Sequence, residues 1–273
     1  MRLLSSGPCT ALKRFNALPG PIKPRDAQDL MAYPFFALAK SHRSTPIRYQ
    51  AGEVALRVDG TPQHGIATIW DADILIWAAS QMIEARDAGI TPSRLIAATP
   101  YEILRFIGRG TSLHDYRRLR AAFDRLQSTT VATTLRQRES RRMHRFSWLN
   151  EWKERADPDG RPQGVELILP DWFYSGVVDD NRVLTIDPGY FALTGGIERW
   201  LYRLVRKHGG RQVHGWSFDF RHLHMKSGST ARYADFALDL RRIADRQALP
   251  GYDLAIVIGP EGEALTFRPV RKL

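Results

Sequence analysis

Residues 99–127 read TPYEILRFIGRGTSLHDYRRLRAAFDRLQ, and this stretch decides the fold. TPYEILRFIGR has the apolar spacing of a short amphipathic helix. GRGTS supplies a glycine turn and a helix start. SLHDYRRLRAAFDRL then forms a longer helix with one apolar and one arginine-rich face. A short helix, a turn and a basic second helix make a helix-turn-helix, whose second helix enters a DNA major groove. At about 100° per residue, Leu113, Tyr116, Leu119, Phe123 and Leu126 should face the core. His114, Arg117, Arg118, Ala121 and Arg125 fall on the opposite arc, where a small residue among arginines suits approach to a groove floor. Thr111 or Ser112 should cap the helix, with N–H groups available to a phosphate.

The charge distribution agrees. The chain of 273 residues has a formal charge of +11. Residues 90–155 hold 14 Lys/Arg against 6 Asp/Glu, whereas residues 1–89 hold 10 against 8 and residues 157–273 hold 16 against 15. The excess sits on the helix-turn-helix segment, as phosphate contact requires. A single cysteine, Cys9, excludes an internal disulfide framework and a cysteine-based zinc finger. The sequence has neither a membrane-length apolar run nor a signal-peptide pattern, which predicts a cytoplasmic protein that does not engage membrane.

Outward from the decisive stretch, IRYQAGEVALRV (47–58) reads as a hairpin, and ADILIWAASQMIEARD (72–87) as a helix capped by Asp71 or Asp73. TTVATTLRQ and RFSWLNEWKE read as strands joined by RESRRMH, so three helices precede a hairpin wing. Arg136, Arg138, Arg141, Arg142 and Arg145 crowd that wing and should add affinity through backbone or minor-groove contacts.

GVELILPDW (164–172) and NRVLTID (181–187) read as further strands, and the pattern then restarts. PGYFALTGGIERWLYRLVRKHGG holds a helix of about 14 residues, FDFRHLHMK a short helix, SGS a turn, STARYADFALDLRRIADRQ a long helix, and YDLAIVIGPEGEALTFRPV a hairpin. GRGTS and KSGST align, with Gly110 matching Gly228. The expected fold is therefore α+β, as two tandem winged-helix domains. Residues 1–30 form a poorly ordered segment in which Met31 is a candidate alternative start, residues 31–160 the first domain and residues 161–273 the second. In the second copy, Tyr233, Phe236, Ala237, Leu240 and Ile243 should be core. Lys226, Ser227, Ser229, Thr230, Arg232, Arg241 and Arg242 are the DNA candidates there, although three aspartates weaken that helix and leave protein binding open.

A rival reading uses the same segment. His222 and His224 have the spacing of a metal pair, and Tyr233 would be the nucleophile of a metal-dependent nickase. Alternate histidines share a face only on a strand, whereas this segment reads as a helix. No phosphate-binding glycine loop, zinc motif or nucleophile elbow is present, so neither a catalytic residue nor a cofactor or metal is expected.

Four stretches together resemble the plasmid replication initiator protein A (RepA-like) family of proteobacteria, over roughly residues 30–271: HGIATIWDADILIWAASQM, TPYEILRFIGRGTSLHDYRRLRAAFDRL, LTIDPGYFALTGGIERWLYRLVRKHGG and HMKSGS. The resemblance implies an initiator that binds double-stranded origin DNA at iteron repeats and opens the origin. It implies recruitment of the host initiator and the replicative helicase, and a homodimer when the protein represses its own gene. A winged-helix repressor at a palindromic operator is the alternative.

Overall fold

The computed structural model describes residues 12–137, 142–210, 215–259 and 262–270. The chain runs β1 (Phe15–Asn16), β2 (Arg25–Ala27), α1 (Gln28–Ala32), β3 (Ile47–Ala51), β4 (Val54–Asp59), α2 (Ala72–Asp87), β5 (Leu95–Ala98), α3 (Pro100–Phe106) and α4 (Leu113–Ser128). It continues with β6 (Thr130–Thr133), β7 (His144–Ser147), β8 (Glu151–Ala156), β9 (Pro162–Ile168), α5 (Asp171–Tyr174) and β10 (Val183–Thr185). The last third holds α6 (Gly196–Gly209), β11 (Trp216–Asp219), α7 (Phe220–Ser227), α8 (Tyr233–Asp245), β12 (Tyr252–Gly259) and β13 (Gly262–Pro269).

One topology occurs twice. In the last third, α6, β11, α7, α8, β12 and β13 follow one another, and the sheet order is β11-β13-β12. In the first part, α2, β5, α3, α4, β8 and β9 follow the same sequence, and the sheet carries β5-β9-β8. In each case the first strand pairs with the third, antiparallel, and the second lies at the edge. The first copy differs by an insertion between its second long helix and its hairpin. β6 and β7 leave this sheet and join β3 and β4 in a separate sheet of order β3-β4-β6-β7.

The expected wing is thus displaced. RFSWLNEWKE is two strands, not one. Trp148 and Leu149 plunge into the core between them, both 0% exposed, and the chain changes sheet there. The hairpin equivalent to β12–β13 is β8–β9, while the arginine-rich connection belongs to the inserted sheet.

The expected boundaries shift for the same reason. A cut at 160/161 would split the β8–β9 hairpin, whose second strand pairs with β5. Residues 12–30 are not a loose segment: Phe15 and Asn16 pair with β5, and Arg25–Ala27 pair with β10. NRVLTID accordingly serves as a strand for the N-terminal segment, and the end of GVELILPDW turns into α5.

Of the helices read from periodicity, α2 and α6 have the expected extents. α2 is buried almost all round and forms the central helix of the first core. Neither Asp71 nor Asp73 is its capping group. Asp71 sits at the N-cap position but accepts hydrogen bonds from the Thr68 N–H (2.7 Å) and from Arg125, and Asp73 is turned into the interior toward Arg199 and Arg109. A second core surrounds α6, α7 and α8 and takes in Met31 of α1 and Ile76 of α2.

Candidate nucleic-acid interface

Two reciprocal caps fix the starts of α3 and α4. Thr99 accepts from the Glu102 N–H (3.2 Å) and Glu102 accepts from the Thr99 N–H (2.7 Å), with Pro100 opening α3. Ser112 accepts from the Asp115 N–H (3.3 Å), and Asp115 accepts from the Ser112 N–H (3.0 Å) and hydroxyl (2.6 Å). These bonds hold the Asp115 carboxyl below its usual range. Ser112 is the expected cap, but its amide is occupied by an internal carboxylate rather than left open for a phosphate.

Leu119, Ala122, Phe123 and Leu126 of α4 are buried, and Tyr116 packs partly against them. Leu113, expected in the core, is 68% exposed. It precedes the first turn that reaches the core, so the end of α4 projects freely.

The polar arc splits along its length. Thr111, Ser112, His114, Arg117 and Arg118 are exposed, and Ala121 is half-buried. Among the described residues, Arg117 and Arg118 have no hydrogen-bond or ion-pair partner. Arg125, on the same arc, grips Asp71 with two bonds of 2.7 and 2.8 Å. That pairing ties it to the start of α2, with 27% of its side chain still exposed. The available face is the first two turns of α4.

The arginines expected on the wing also separate. Arg136 bonds Asp29 (2.7 Å) and the Trp172 carbonyl, and lies over the Trp172 ring at 4.1 Å. It pins the connection to α1 and α5, a structural role. Arg142 and Arg145 are exposed. Arg138 and Arg141 lie outside the described residues.

The segment of α7 and α8 offers little free positive charge among the described residues. Lys226 is buried over the rings of Tyr33 and Tyr49, and burial pushes its pKa down. Ser227 is 0% exposed, donating to the His224 carbonyl and accepting from the Ser229 N–H. Arg232 is held by Asp235 (2.8 Å) and Arg241 by Glu263 (2.8 Å), and Arg242 lies 3.9 Å from Asp239. Ser229 accepts from the Ala231 N–H, while Thr230 is exposed. Lys226 and Ser227 are therefore core elements rather than contact groups, and most of the remaining cations are offset locally.

Gly228 ends α7 in the left-handed region, φ 63°. Its counterpart in the first copy is Gly108, φ 68°, not Gly110. A Cβ on Gly110 would come within 2.6 Å of the Asp115 carboxylate and would have to displace that capping side chain.

His222 and His224 lie on the helix α7, so their side chains diverge. His222 stacks on Phe218 (5.4 Å), whereas His224 contacts the Ala231 carbonyl (2.8 Å) and meets Phe236 and Tyr233. Among the described residues, no group of three or more His, Cys, Asp or Glu is placed to hold a metal. Among them, too, no helix is long and apolar enough to cross a membrane.

Sequence reasoning missed the acidic partners that sort these arginines. Asp29, Asp71 and Asp73 are distant in sequence from Arg136, Arg125 and Arg199, and no local pattern links them.

The fold has known relatives. Domains 2 and 3 of RctB superimpose with a TM-score of 0.64 at 15% identity, covering 90% of this chain and 99% of that one. A second structure of RctB domains 2–3 gives 0.59, also at 15% identity, with 89% and 97% covered. A curated protein of Wigglesworthia glossinidia brevipalpis named "Putative replication protein" is 31% identical over 229 residues, 82% of each chain. The family model for replication initiator protein A matches residues 25–254. The chain belongs to the replication initiator protein A family.

Proposed function

We propose that this initiator binds double-stranded origin DNA sequence-specifically through the exposed start of α4. Its two repeated units are read as winged helices, in which α4 and α8 are the recognition helices and β8–β9 and β12–β13 the wings. The observation that carries the reading is Arg117 and Arg118, which are exposed and without a hydrogen-bond or ion-pair partner among the described residues, on the first turns of a helix whose other arginines are tied down. Arginine is suited to bidentate pairing with guanine in the major groove. The second unit, with its cations paired locally, takes a supporting part on DNA or faces protein.

The target is iteron-type direct repeats, and binding there leads to origin opening and recruitment of the host initiator and helicase. The action is non-enzymatic. Support comes from the family membership and from the divergence of His222 and His224 on α7. Footprinting of the purified chain on fragments of its own replicon tests this. Protected direct repeats beside an AT-rich segment are expected. Protection of a single inverted repeat at a promoter would indicate a repressor instead, and metal-dependent nicking lost on Tyr233→Phe would indicate a nuclease.

A further inference from the structure

The inserted sheet, β3-β4-β6-β7, has no counterpart among the described residues of the second unit. One face packs on the core through Ile47, Tyr49, Leu56, Val58 and Val131. The other face carries a line of arginines. Arg48 stands opposite Arg57, Arg57 opposite Ala132, and Ala132 opposite Arg145. Directly opposed residues project from the same face of a sheet. With strands about 4.8 Å apart, the line crosses all four strands over about 14 Å. Ala132 is only 1% exposed despite its outward position, so neighbouring side chains cover it. Gln50, Ala55 and Met143 border a shallow hollow of about 390 Å³ beside Arg48 and Arg57.

The charge on this line is unbalanced. Asp59 binds Arg57 at 2.7–3.0 Å and raises its pKa. Arg48 and Arg145 are exposed and, among the described residues, have no hydrogen-bond or ion-pair partner. With Arg57 offset by Asp59, the charge left on this face is that of Arg48 and Arg145, on the two outer strands, where a polyanion lying across the sheet could neutralise both. Guanidinium groups match phosphate oxygens. Among the described residues, the one aromatic ring bordering the hollow, Tyr49, belongs to the buried face, so a single strand would find no stacking platform here. That favours the backbone of a duplex.

The geometry points to this sheet face as a second, sequence-independent phosphate-binding surface for duplex DNA. α4 runs directly into the sheet through Thr129, so one rigid unit would carry both the reading helix and the arginine line. The assignment of DNA as the polyanion rests on the function proposed for α4.

The test uses the full chain with Arg48→Ala and Arg145→Ala together, leaving Arg57 to its Asp59 partner. Binding to an origin fragment and to random duplex is measured across a salt series. Both affinities should fall by the same factor, leaving their ratio unchanged. The log–log salt slope should drop by about 1.8, at about 0.9 for each phosphate no longer neutralised. Arg48→Lys with Arg145→Lys should restore most of the slope, and the alanine variant should melt no lower than the parent. Unchanged affinity and slope in the alanine variant, with a parent that selects origin DNA, would overturn the surface but leave α4 standing. A larger loss on oligothymidylate than on duplex would overturn the duplex assignment. Failure of the parent to bind any duplex would remove both readings.

Discussion

An arginine on the polar arc of a helix is available only if nothing folds back to meet it. Arg117, Arg118 and Arg125 share an arc of α4, yet Asp71 claims only the last. Asp71 is 2% exposed, so removing Arg125 leaves a buried carboxylate without its countercharge, held only by the Thr68 N–H and hydroxyl. Arg125→Ala should cost about 3 kcal/mol in denaturant unfolding, while the DNA salt slope stays unchanged. A reduced slope with unaltered stability would return Arg125 to the interface. His208 gives a pH-dependent test. Burial first, then Lys226, Lys207 and His222, push its pKa down to about 4, and its Nε2 is buried with no hydrogen-bond partner among the described residues. The unfolded chain takes up that proton near pH 6.5 and the folded chain only near 4. Its neutral form therefore supports the fold fully above about pH 6.5 and loses that support as pH falls toward 4. Melting temperature followed from about pH 7 to about pH 4.5 should decline less steeply in His208→Gln; parallel curves would remove His208 as the cause.

At the scale of elements, apolar period was sufficient for α4, whose buried residues recur at helical spacing, while α2 and α6 are buried on nearly every side and were legible by their extent. Strand partners were not legible. RFSWLNEWKE is rich in strand-favouring aromatic residues, but propensity does not say that Trp148 and Leu149 turn inward and send β8 to another sheet. GRGTS and KSGST look alike and invite the wrong alignment of turn glycines, whereas the left-handed positions are Gly108 and Gly228. Only backbone geometry separates a glycine held at positive φ from one that is not. A Cβ on Gly228 would come within 2.9 Å of Pro34 and 3.0 Å of Ile47 as well as straining φ. Gly228→Ala should lower stability by about 1–3 kcal/mol, measured by thermal unfolding. A neutral effect would mean that the turn relaxes without these contacts.

At the scale of the whole molecule, buried ion pairs join the two units. Arg203 of α6 binds Asp26 at 2.6 and 2.9 Å, with both side chains 1% exposed. Arg199 binds Asp73 of α2 at 2.7 Å, and Arg109 meets the same carboxylate at 3.1 Å. Met31 and Ile76 enter the second core. The two repeated units should therefore unfold in one cooperative transition. Arg203→Met alone should cost about 3–5 kcal/mol by leaving Asp26 buried and unpaired, while adding Asp26→Leu should recover much of it. Calorimetry that resolves two independent transitions in the parent would contradict this coupling. These links were invisible in sequence because the paired residues lie far apart along the chain and each alone looks like ordinary surface charge.

The claim that the exposed start of α4 reads DNA is tested most directly by competition. Affinity for an origin fragment is measured against excess random duplex at physiological salt, for the parent and for Arg117→Ala with Arg118→Ala. The account predicts marked selectivity in the parent and its loss in the variant, with melting temperature unchanged and weak binding to both duplexes retained. Selectivity that survives the double substitution would contradict the account and place recognition elsewhere on the molecule.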